Sequence, residues 1–312
     1  MVELQNNYKE NIIKMFGPIG EEWLKKVPQL VEKYIDKFSL TNIKLLKDLT
    51  YNVLIFADSD DFGPVVLKIE IPFKELTIRE SEALLLNDGV GACRCYYKDI
   101  EDGVILMERL MPGKSLNEIG SLEKKCEIFR DVVNRFNIQV TDECQLPFYD
   151  EIFYRSVDLA NSNYEKYQMV MKLLARATNF FEEIKNIDEG NYLLHSDMFA
   201  DNILKDNSGW KAIDPHGFIG NRIFDTAIFM QKELESQGYS ENSIDEVLST
   251  MSKVCGYKVE DLKKMLFINQ VLNICWSLES NLDEKYIKNS IDNAKTIYNS
   301  ISCNEKTRKN TI

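Results

Sequence analysis

Residues 192–217 hold both histidines of the 312-residue chain together with several carboxylate and carboxamide side chains. His195, Asp197 and Asn202 form the pattern H-x-D-x-x-x-x-N, and Asp214 follows at the end of a strand-like segment. An ordinary aspartate is ionised at pH 7, so Asp197 can accept a hydroxyl proton without a perturbed pKa. Mg²⁺ prefers oxygen ligands, which favours Asn202 and Asp214 over either histidine as metal ligands. The spacing therefore predicts phosphoryl transfer to a hydroxyl.

Phosphate groups also need a cation, and Lys68 lies in the apolar strand pattern "VVLKI". Strand alternation places Lys68 on the face opposite Leu67 and Ile69. The helix expected next, "KELTIRESEALLLN", offers Glu80 or Glu82 as a carboxylate partner for this lysine. Helical periodicity does not choose between the two glutamates, because this helix is apolar on both sides.

The elements that must position these residues change character along the chain. Apolar residues at helical spacing predict a helix over 23–38, and two strand pairs flanking one helix then give a β-β-α-β-β order. After residues 111–113 the pattern is mostly helical, apart from the strand-like pieces "NYLLH" and "WKAID". The predicted helices there cover about 121–137, 151–161, 164–187, 224–236, 242–254, 259–280 and 284–301.

This order predicts an α+β fold of two lobes. Residues 1–110 form a small nucleotide-binding lobe with an antiparallel sheet, and residues 111–312 form a larger helical lobe with the catalytic loop and the acceptor site. Clefts between lobes commonly bind ligands, which agrees with the placement of the candidate residues.

Composition narrows the classes of partner. The formal net charge of −12 argues against nucleic acid, since a binder of nucleic acid needs a basic face. An acidic surface suits a cationic small molecule, although it also serves solubility alone. We expect a cytoplasmic protein, because no signal-like or membrane-spanning apolar run is present, and we expect it to be a monomer. The seven scattered cysteines fit reduced thiols better than a disulfide framework or a zinc site.

Several blocks together carry a resemblance to a known family. They are "EEWLKKVPQLVEKY", "VVLKI", "RESEALLL", "ILMERLMPGKSL", "LLHSDMFADNIL", "KAIDPHGFIGNRIFDTA" and "LNICWSLES", in family order. The chain resembles the aminoglycoside/hydroxyurea antibiotic-resistance kinases, the streptomycin 6-phosphotransferase-like branch of the aminoglycoside phosphotransferase superfamily. The resemblance implies a protein-kinase-like fold. It also implies Mg²⁺-dependent transfer of the γ-phosphoryl group of ATP, or of another nucleoside triphosphate, to a small cationic acceptor such as streptomycin, which inactivates the antibiotic.

The resemblance also assigns roles to the nucleotide and catalytic residues. It makes Asp197 the base and gives Mg²⁺ to Asn202 and Asp214. It places Lys68 on the phosphates, with Glu80 as its partner.

The same resemblance places Met107 beside the adenine, whose edge meets backbone groups of Glu108 and Leu110. These hinge residues act through the backbone in this interpretation, so their side chains are not expected to matter. His195 and Asp225 are expected to support the catalytic loop.

Candidates on the acceptor side are His216, Asp158 and Glu279, with Asp150 and Glu151 as further carboxylates that could face cationic groups. Carboxylates on helix faces are commonly only solvated, so these residues are the least specific part of the prediction.

Three features depart from the family pattern. Ser196 stands where relatives tend to have glycine, and His216 where they often have a basic residue. The nucleotide loop "KDLTYNV" has no glycine, so Thr50, Tyr51 and Asn52 must approach phosphates with side chains present. These departures bear on nucleotide affinity and on the choice between ATP and GTP.

Other functions share parts of this pattern. Only ten residues separate Asp214 from Asp225 and no A-P-E follows, which leaves no room for the activation segment of a protein kinase. A kinase of an endogenous amino-alcohol or sugar remains open, because the phosphoryl-transfer residues do not encode the acceptor. A non-catalytic nucleotide-binding relative is the third alternative, and the intact catalytic positions argue against it.

Overall fold

The computed structural model describes residues 4–47, 49–71, 73–141, 143–187 and 190–309, the last eight of these as backbone helix only. Its contacts group the chain into two compact units, residues 1–114 with 204–216 and residues 115–203 with 217–312. The sequence predicts a single boundary at 110/111, whereas the structure attaches the segment that carries Asp214 to the first unit. The α+β class is confirmed.

The first unit contains α1 Asn6–Lys37, β1 Thr41–Leu45, β2 Val53–Ser59, β3 Gly63–Ile69, α2 Lys74–Asn87, β4 Cys95–Asp99 and β5 Val104–Glu108. Its strands form a five-stranded antiparallel sheet in the order β1-β2-β3-β5-β4. The helix α1 precedes the sheet, and α2 follows β3.

The strands β2 and β3 pack against the core on one face and line a cavity on the other. Alternate side chains, among them Ile55, Leu67 and Ile69, are buried in the same core as α1, where Val27 is also buried. The intervening side chains of β2 and β3 line a cavity on the opposite face, and they are Leu54, Phe56, Val66 and Lys68. The period of two therefore turns Lys68 away from the core and into the cavity.

The helix α1 is longer than the sequence pattern predicts. It begins at Asn6, and Gly17 interrupts its helical geometry with φ 56° before Pro18. Glycine adopts this backbone conformation without steric cost, and proline is tolerated where a helix restarts, because its missing N–H is not needed there. The break divides the apolar pattern, so only the part from residue 23 onward reads as a regular amphipathic helix.

Two small sheets complete the strands. One has the order β6-β8-β9 and the other pairs β7 with β10. Their bounds are β6 Pro112–Ser115, β7 Tyr192–Leu194, β8 Ile203–Asp206, β9 Gly209–Ala212 and β10 Phe218–Gly220. Of these strands, the sequence analysis identifies only β7 and β9, in the pieces "NYLLH" and "WKAID", and it misses β6, β8 and β10.

The second unit is mainly helical. Its helices are α3 Leu122–Phe136, α4 Tyr149–Ser162, α5 Tyr164–Tyr167, α6 Met171–Ile184, α7 Phe224–Gln237, α8 Glu241–Cys255, α9 Val259–Glu279 and α10 Glu284–Lys309. The helix α9 is buried on nearly all sides and contacts α6, α7, α8 and α10. No helix in the described ranges is long and apolar enough to cross a membrane.

The prediction of one helix over 164–187 is wrong, because α5 and α6 are separated by residues 168–170. Tyr167 and Val170 are both buried at this turn. The segment contains neither glycine nor proline, so packing of these two side chains overrides a local preference for helix.

Candidate active site

A cavity of about 340 Å³ lies within the first unit. Apolar side chains such as Leu54, Phe56 and Ile213 line much of it, while Lys68 and Asp214 are among its polar groups. Its other walls are residues 49–52, residues 107–113, Leu46, Val66, Glu80 and Leu204. The volume is within the usual range for small-molecule sites, and the combination suits a flat apolar group that carries an anionic tail.

Lys68 is the charged centre of this cavity. Its Nζ atom donates to Glu80 Oε2 and lies 2.6 Å from Asp214 Oδ1. Burial alone lowers the pKa of Lys68, but the nearby carboxylates, first that of Glu80, raise it well above its ordinary value. The lysine is therefore a cation throughout the neutral range. The structure also selects Glu80 over Glu82, whose carboxylate accepts from Lys98 instead.

Glu70 is a buried carboxylate in this cluster that sequence reasoning missed. Its Oε1 atom lies 3.5 Å from Lys68 Nζ, and its Oε2 atom has no hydrogen-bond partner within the described part of the chain. The signal was present, since residues two apart on a strand share a face and Glu70 follows Lys68 by two. With Glu80 and Asp214, three carboxylates surround one ammonium group.

This charge balance fits a divalent cation. Burial makes an excess of negative charge costly, and a bound Mg²⁺ would offset that excess. No group of three His, Cys, Asp or Glu side chains in the described ranges can hold a metal ion without other ligands. A cation here would therefore need carboxamide, water or phosphate oxygens as well, which is usual for Mg²⁺ in nucleotide sites.

Asp214 has an unusual backbone conformation, with φ 60°. Aspartate tolerates the left-handed region better than most residues, because its short side chain can form local hydrogen bonds. The carboxylate is about half exposed even though one oxygen contacts Lys68. It is thus both anchored and accessible.

The hinge segment, residues 107–110, begins with the last two residues of β5 and lies along the same cavity. Met107 is buried, with its sulfur 3.8 Å from Cys93 Sγ, and Leu110 is also buried. The backbone N–H of Glu108 donates to Arg94 O at 2.8 Å. Its carboxylate lies 2.9 Å from Lys211 Nζ on β9, so this side chain fixes the hinge to the sheet of β6, β8 and β9. Sequence reasoning gave the side chain no role.

The loop that carries Asp197 belongs to the second unit. His195 is fully buried, its ring contacts Phe136, and its Nδ1 atom accepts the Asp197 N–H at 3.2 Å. An accepting Nδ1 requires a neutral ring with the proton on Nε2. Asn202 Nδ2 donates to the Asp197 carbonyl at 2.9 Å and to its carboxylate at 3.1 Å. Asn202 thus orients Asp197 through its nitrogen, and its carbonyl oxygen is the atom suited to a cation.

Asp225 holds this loop from beneath. Its carboxylate accepts the N–H of Ser196 at 2.7 Å and that of His195 at 3.0 Å. Asn137, which the sequence analysis did not identify, donates to it at 2.8 Å. Burial raises the pKa of Asp225, and these three donors act in the opposite direction. Ser196 has φ 61°, a conformation that glycine adopts at lower cost.

The three candidates for the acceptor side lie in different places. His216 belongs to the first unit, and desolvation by the surrounding protein lowers the pKa of its partly exposed ring. The negative charge of Asp214 raises the pKa of this ring, and the positive charge of Lys68 lowers it. Asp158 is exposed on α4 and Glu279 is exposed at the end of α9, where its carboxylate lies 3.6 Å from an Arg155 nitrogen. Contact with an acceptor remains a prediction for all three.

Residues 51–280 match the family described as aminoglycoside/hydroxyurea antibiotic resistance kinase. The chain belongs to this family. It is therefore a phosphotransferase that acts on an alcohol group of a small molecule, and the resemblance inferred from its motifs is confirmed.

Curated relatives agree with this assignment. The chain is 28% identical over 224 residues to streptomycin 3″-kinase of Klebsiella pneumoniae, a match that covers 68% of this chain and 79% of the relative. It is 23% identical over 235 residues to streptomycin 6-kinase of Streptomyces glaucescens, covering 72% of this chain and 73% of the relative.

Solved structures share the fold. Choline kinase LicA of Streptococcus pneumoniae has a TM-score of 0.61 and 16% identity, covering 88% of this chain and 99% of that chain. A thermostable variant of aminoglycoside phosphotransferase APH(4)-Ia, in complex with AMP-PNP and hygromycin B, has a TM-score of 0.63 and 12% identity, covering 86% and 97%. These matches confirm the bilobal, protein-kinase-like fold.

Proposed function

We propose that this protein is a Mg²⁺-dependent kinase that transfers the γ-phosphoryl group of ATP to a hydroxyl of streptomycin or a related aminoglycoside. The observation that supports it most is the buried Lys68, which contacts Glu80 and Asp214 in an otherwise largely apolar cavity. Such a cavity suits a nucleotide, with the base among the apolar side chains and the phosphates on the lysine.

The nucleotide and metal roles in this proposal are those that the family resemblance implies, and the oxygen ligands that Mg²⁺ prefers agree with them. Met107 lies beside the base, and backbone groups of Glu108 and Leu110 meet its edge. Lys68 binds phosphate oxygens, and Glu80 keeps the ammonium group in place. When bound, Mg²⁺ neutralises charge on the phosphates, and the oxygens of Asn202 and Asp214 would hold it.

Asp197 acts as the base in this proposal. Its carboxylate accepts the proton of the acceptor hydroxyl, a role that contributes about 10²–10⁴ in rate. The bonds from Asn202 Nδ2 and to His195 Nδ1 fix both ends of the residue, so the carboxylate needs little reorganisation. Asp225 accepts the backbone N–H of His195, and Asn137 donates to Asp225, so the two residues hold the loop that carries Asp197.

Two considerations support an aminoglycoside as the acceptor. Both curated relatives described above act on streptomycin, at the 3″ and 6 positions respectively. A chain with net charge −12 also favours a cationic acceptor. Because the relatives differ in the position modified, product analysis must assign the hydroxyl.

The test is a coupled ADP-release assay with Mg²⁺-ATP against streptomycin, other aminoglycosides, choline and simple sugars. We expect ADP release that depends on streptomycin and falls by about 10²-fold or more in Asp197→Asn. Asp201→Asn is the matched control, because Asp201 is exposed four residues away and contacts Ser115.

Other outcomes distinguish the alternatives. Turnover of choline or a sugar, with none of any aminoglycoside, would assign a metabolite kinase and contradict the acceptor proposed. Stabilisation by Mg²⁺-ATP without turnover of any acceptor would favour a non-catalytic relative. A thermal-shift titration detects binding of Mg²⁺-ATP, since a ligand at 100 times its Kd raises the free energy of unfolding by about 2.7 kcal/mol.

A further inference from the structure

The loop between β1 and β2 forms one wall of the cavity although it contains no glycine. Leu46, Leu49, Thr50, Tyr51 and Asn52 all line the cavity. In a nucleotide loop, glycine lets backbone N–H groups approach phosphates closely. A loop with side chains at every position has fewer conformations available and must be fixed in one that leaves room for the ligand.

The helix α1 contacts this loop from outside the cavity. The buried Tyr8 hydroxyl donates to Tyr51 O at 2.6 Å. The Phe16 ring meets the Tyr51 ring edge to face, with centroids 6.3 Å apart, and also contacts Phe73 at 5.7 Å. One residue of the loop is therefore held by both its backbone carbonyl and its ring.

The two ends of the loop have hydrogen bonds that do not involve α1. Leu46 N–H donates to Leu54 O on β2 at 3.0 Å, and Asn52 Oδ1 accepts the N–H of Ile71, two residues beyond β3, at 3.2 Å. The helix α1 holds Tyr51, which lies next to Asn52. Tyr8 and Phe16 precede the residues that match the family, 51–280, so the family match assigns neither of them a role.

We propose that α1 positions the nucleotide loop, with Tyr8 as a positioning residue for nucleotide binding. This inference rests on the proposed function, because it takes the cavity as the nucleotide site. The hydroxyl of Tyr8 fixes the carbonyl of Tyr51 and thereby the direction of the following peptide group. In nucleotide loops that contain glycine, the backbone fits closely against the phosphates. Here α1 instead holds the loop in place through one hydrogen bond and one ring contact.

The test compares Tyr8→Phe with Tyr34→Phe. Tyr34 lies on the same helix and is buried, and its hydroxyl oxygen lies 2.7 Å from Asp99 Oδ2 and 2.8 Å from Asp102 Oδ2, so its one proton bonds a carboxylate and not the loop. Each variant loses one buried hydroxyl and keeps its ring. Two quantities are measured, the Kd and KM for Mg²⁺-ATP with kcat, and hydrogen exchange of the amides of residues 49–52 without nucleotide.

We expect Tyr8→Phe to raise the Kd and KM for ATP about 3–10-fold, with kcat and the acceptor KM within about twofold of the wild-type values. Exchange at residues 49–52 should become faster in Tyr8→Phe and stay unchanged in Tyr34→Phe. Unchanged exchange in Tyr8→Phe, or equal effects of the two variants, would overturn the inference. Failure of the wild-type protein to bind ATP would overturn the proposed function, whereas ATP binding that Tyr8→Phe leaves intact would overturn this inference alone.

Discussion

Replacing Asp225 with asparagine keeps the size of the side chain and removes its charge, which makes it a direct test of how the catalytic loop is held. The carboxylate accepts from Ser196 N on one oxygen, and from His195 N and Asn137 Nδ2 on the other. An asparagine has one accepting oxygen, so its best orientation keeps two of these bonds and turns an NH₂ group toward the third donor.

The expected loss in the free energy of unfolding follows from these three hydrogen bonds. A hydrogen bond to a charged group contributes about 1.5–3 kcal/mol, and the two retained bonds each weaken by about 1 kcal/mol when the charge is lost. Burial of the carboxylate, which raises the pKa of Asp225, offsets part of this, so we expect a net destabilisation of about 3 kcal/mol. With an unfolding entropy of about 2.1 cal/mol/K per residue over 312 residues, thermal unfolding should show a Tm lower by about 5 °C. Because the loop also orients Asp197, kcat should fall by about 10–100-fold.

The matched control is Asp158→Asn, which makes the same chemical change on an exposed position of α4 in the same unit. It should alter stability by less than about 0.5 kcal/mol. Equal melting temperatures for the two variants, together with kcat within twofold of wild type for Asp225→Asn, would refute the role assigned to Asp225.

Three further predictions concern other parts of the chain. Glu70→Gln removes one of the carboxylates around Lys68, so calorimetry should show ATP binding about fivefold tighter, most clearly in EDTA, and weaker binding would contradict the charge argument. Ser196→Gly should be about 1 kcal/mol more stable in urea than Ser196→Ala, because only glycine relieves the positive φ; equal stability would show that no strain is present. Burial raises the pKa of Cys95 to about 11 and the pKa values of Cys126 and Cys275 to about 12, so iodoacetamide at pH 8 should leave these three thiols unlabelled in the native protein and label them in urea, as read by peptide mass spectrometry. Rapid labelling of any of the three in the native protein would contradict their burial.

Sequence patterns predicted the parts of the fold whose periodicity is long enough to read. The strands β2 and β3 alternate over seven residues each, which placed Lys68 on the correct face. The break between α5 and α6 left no signal, because it depends on the burial of Tyr167 and Val170 rather than on a helix-breaking residue. The strands β6, β8 and β10 were not predicted either, although β7 and β9, which are no longer, were identified from "NYLLH" and "WKAID".

In the candidate site, too, sequence patterns could predict some residues and not others. The choice between Glu80 and Glu82 needed the orientation of α2, which an evenly apolar helix does not reveal. Glu70 was readable from its spacing to Lys68 but has no place in the motif that directed attention to this region. Asn137 was not readable, since its contact with Asp225 joins positions 88 residues apart.

The central claim is that Asp197 activates an acceptor hydroxyl for attack on a nucleotide phosphate. Its most direct test is a single-turnover reaction of excess enzyme with Mg²⁺-ATP and streptomycin, quenched and analysed by mass spectrometry and ³¹P nuclear magnetic resonance. We predict stoichiometric phosphorylated streptomycin from the wild-type protein. For Asp197→Asn we predict formation slower by about 10²-fold or more while the Kd for ATP is unchanged. Formation of the product at the wild-type rate by Asp197→Asn would contradict the account.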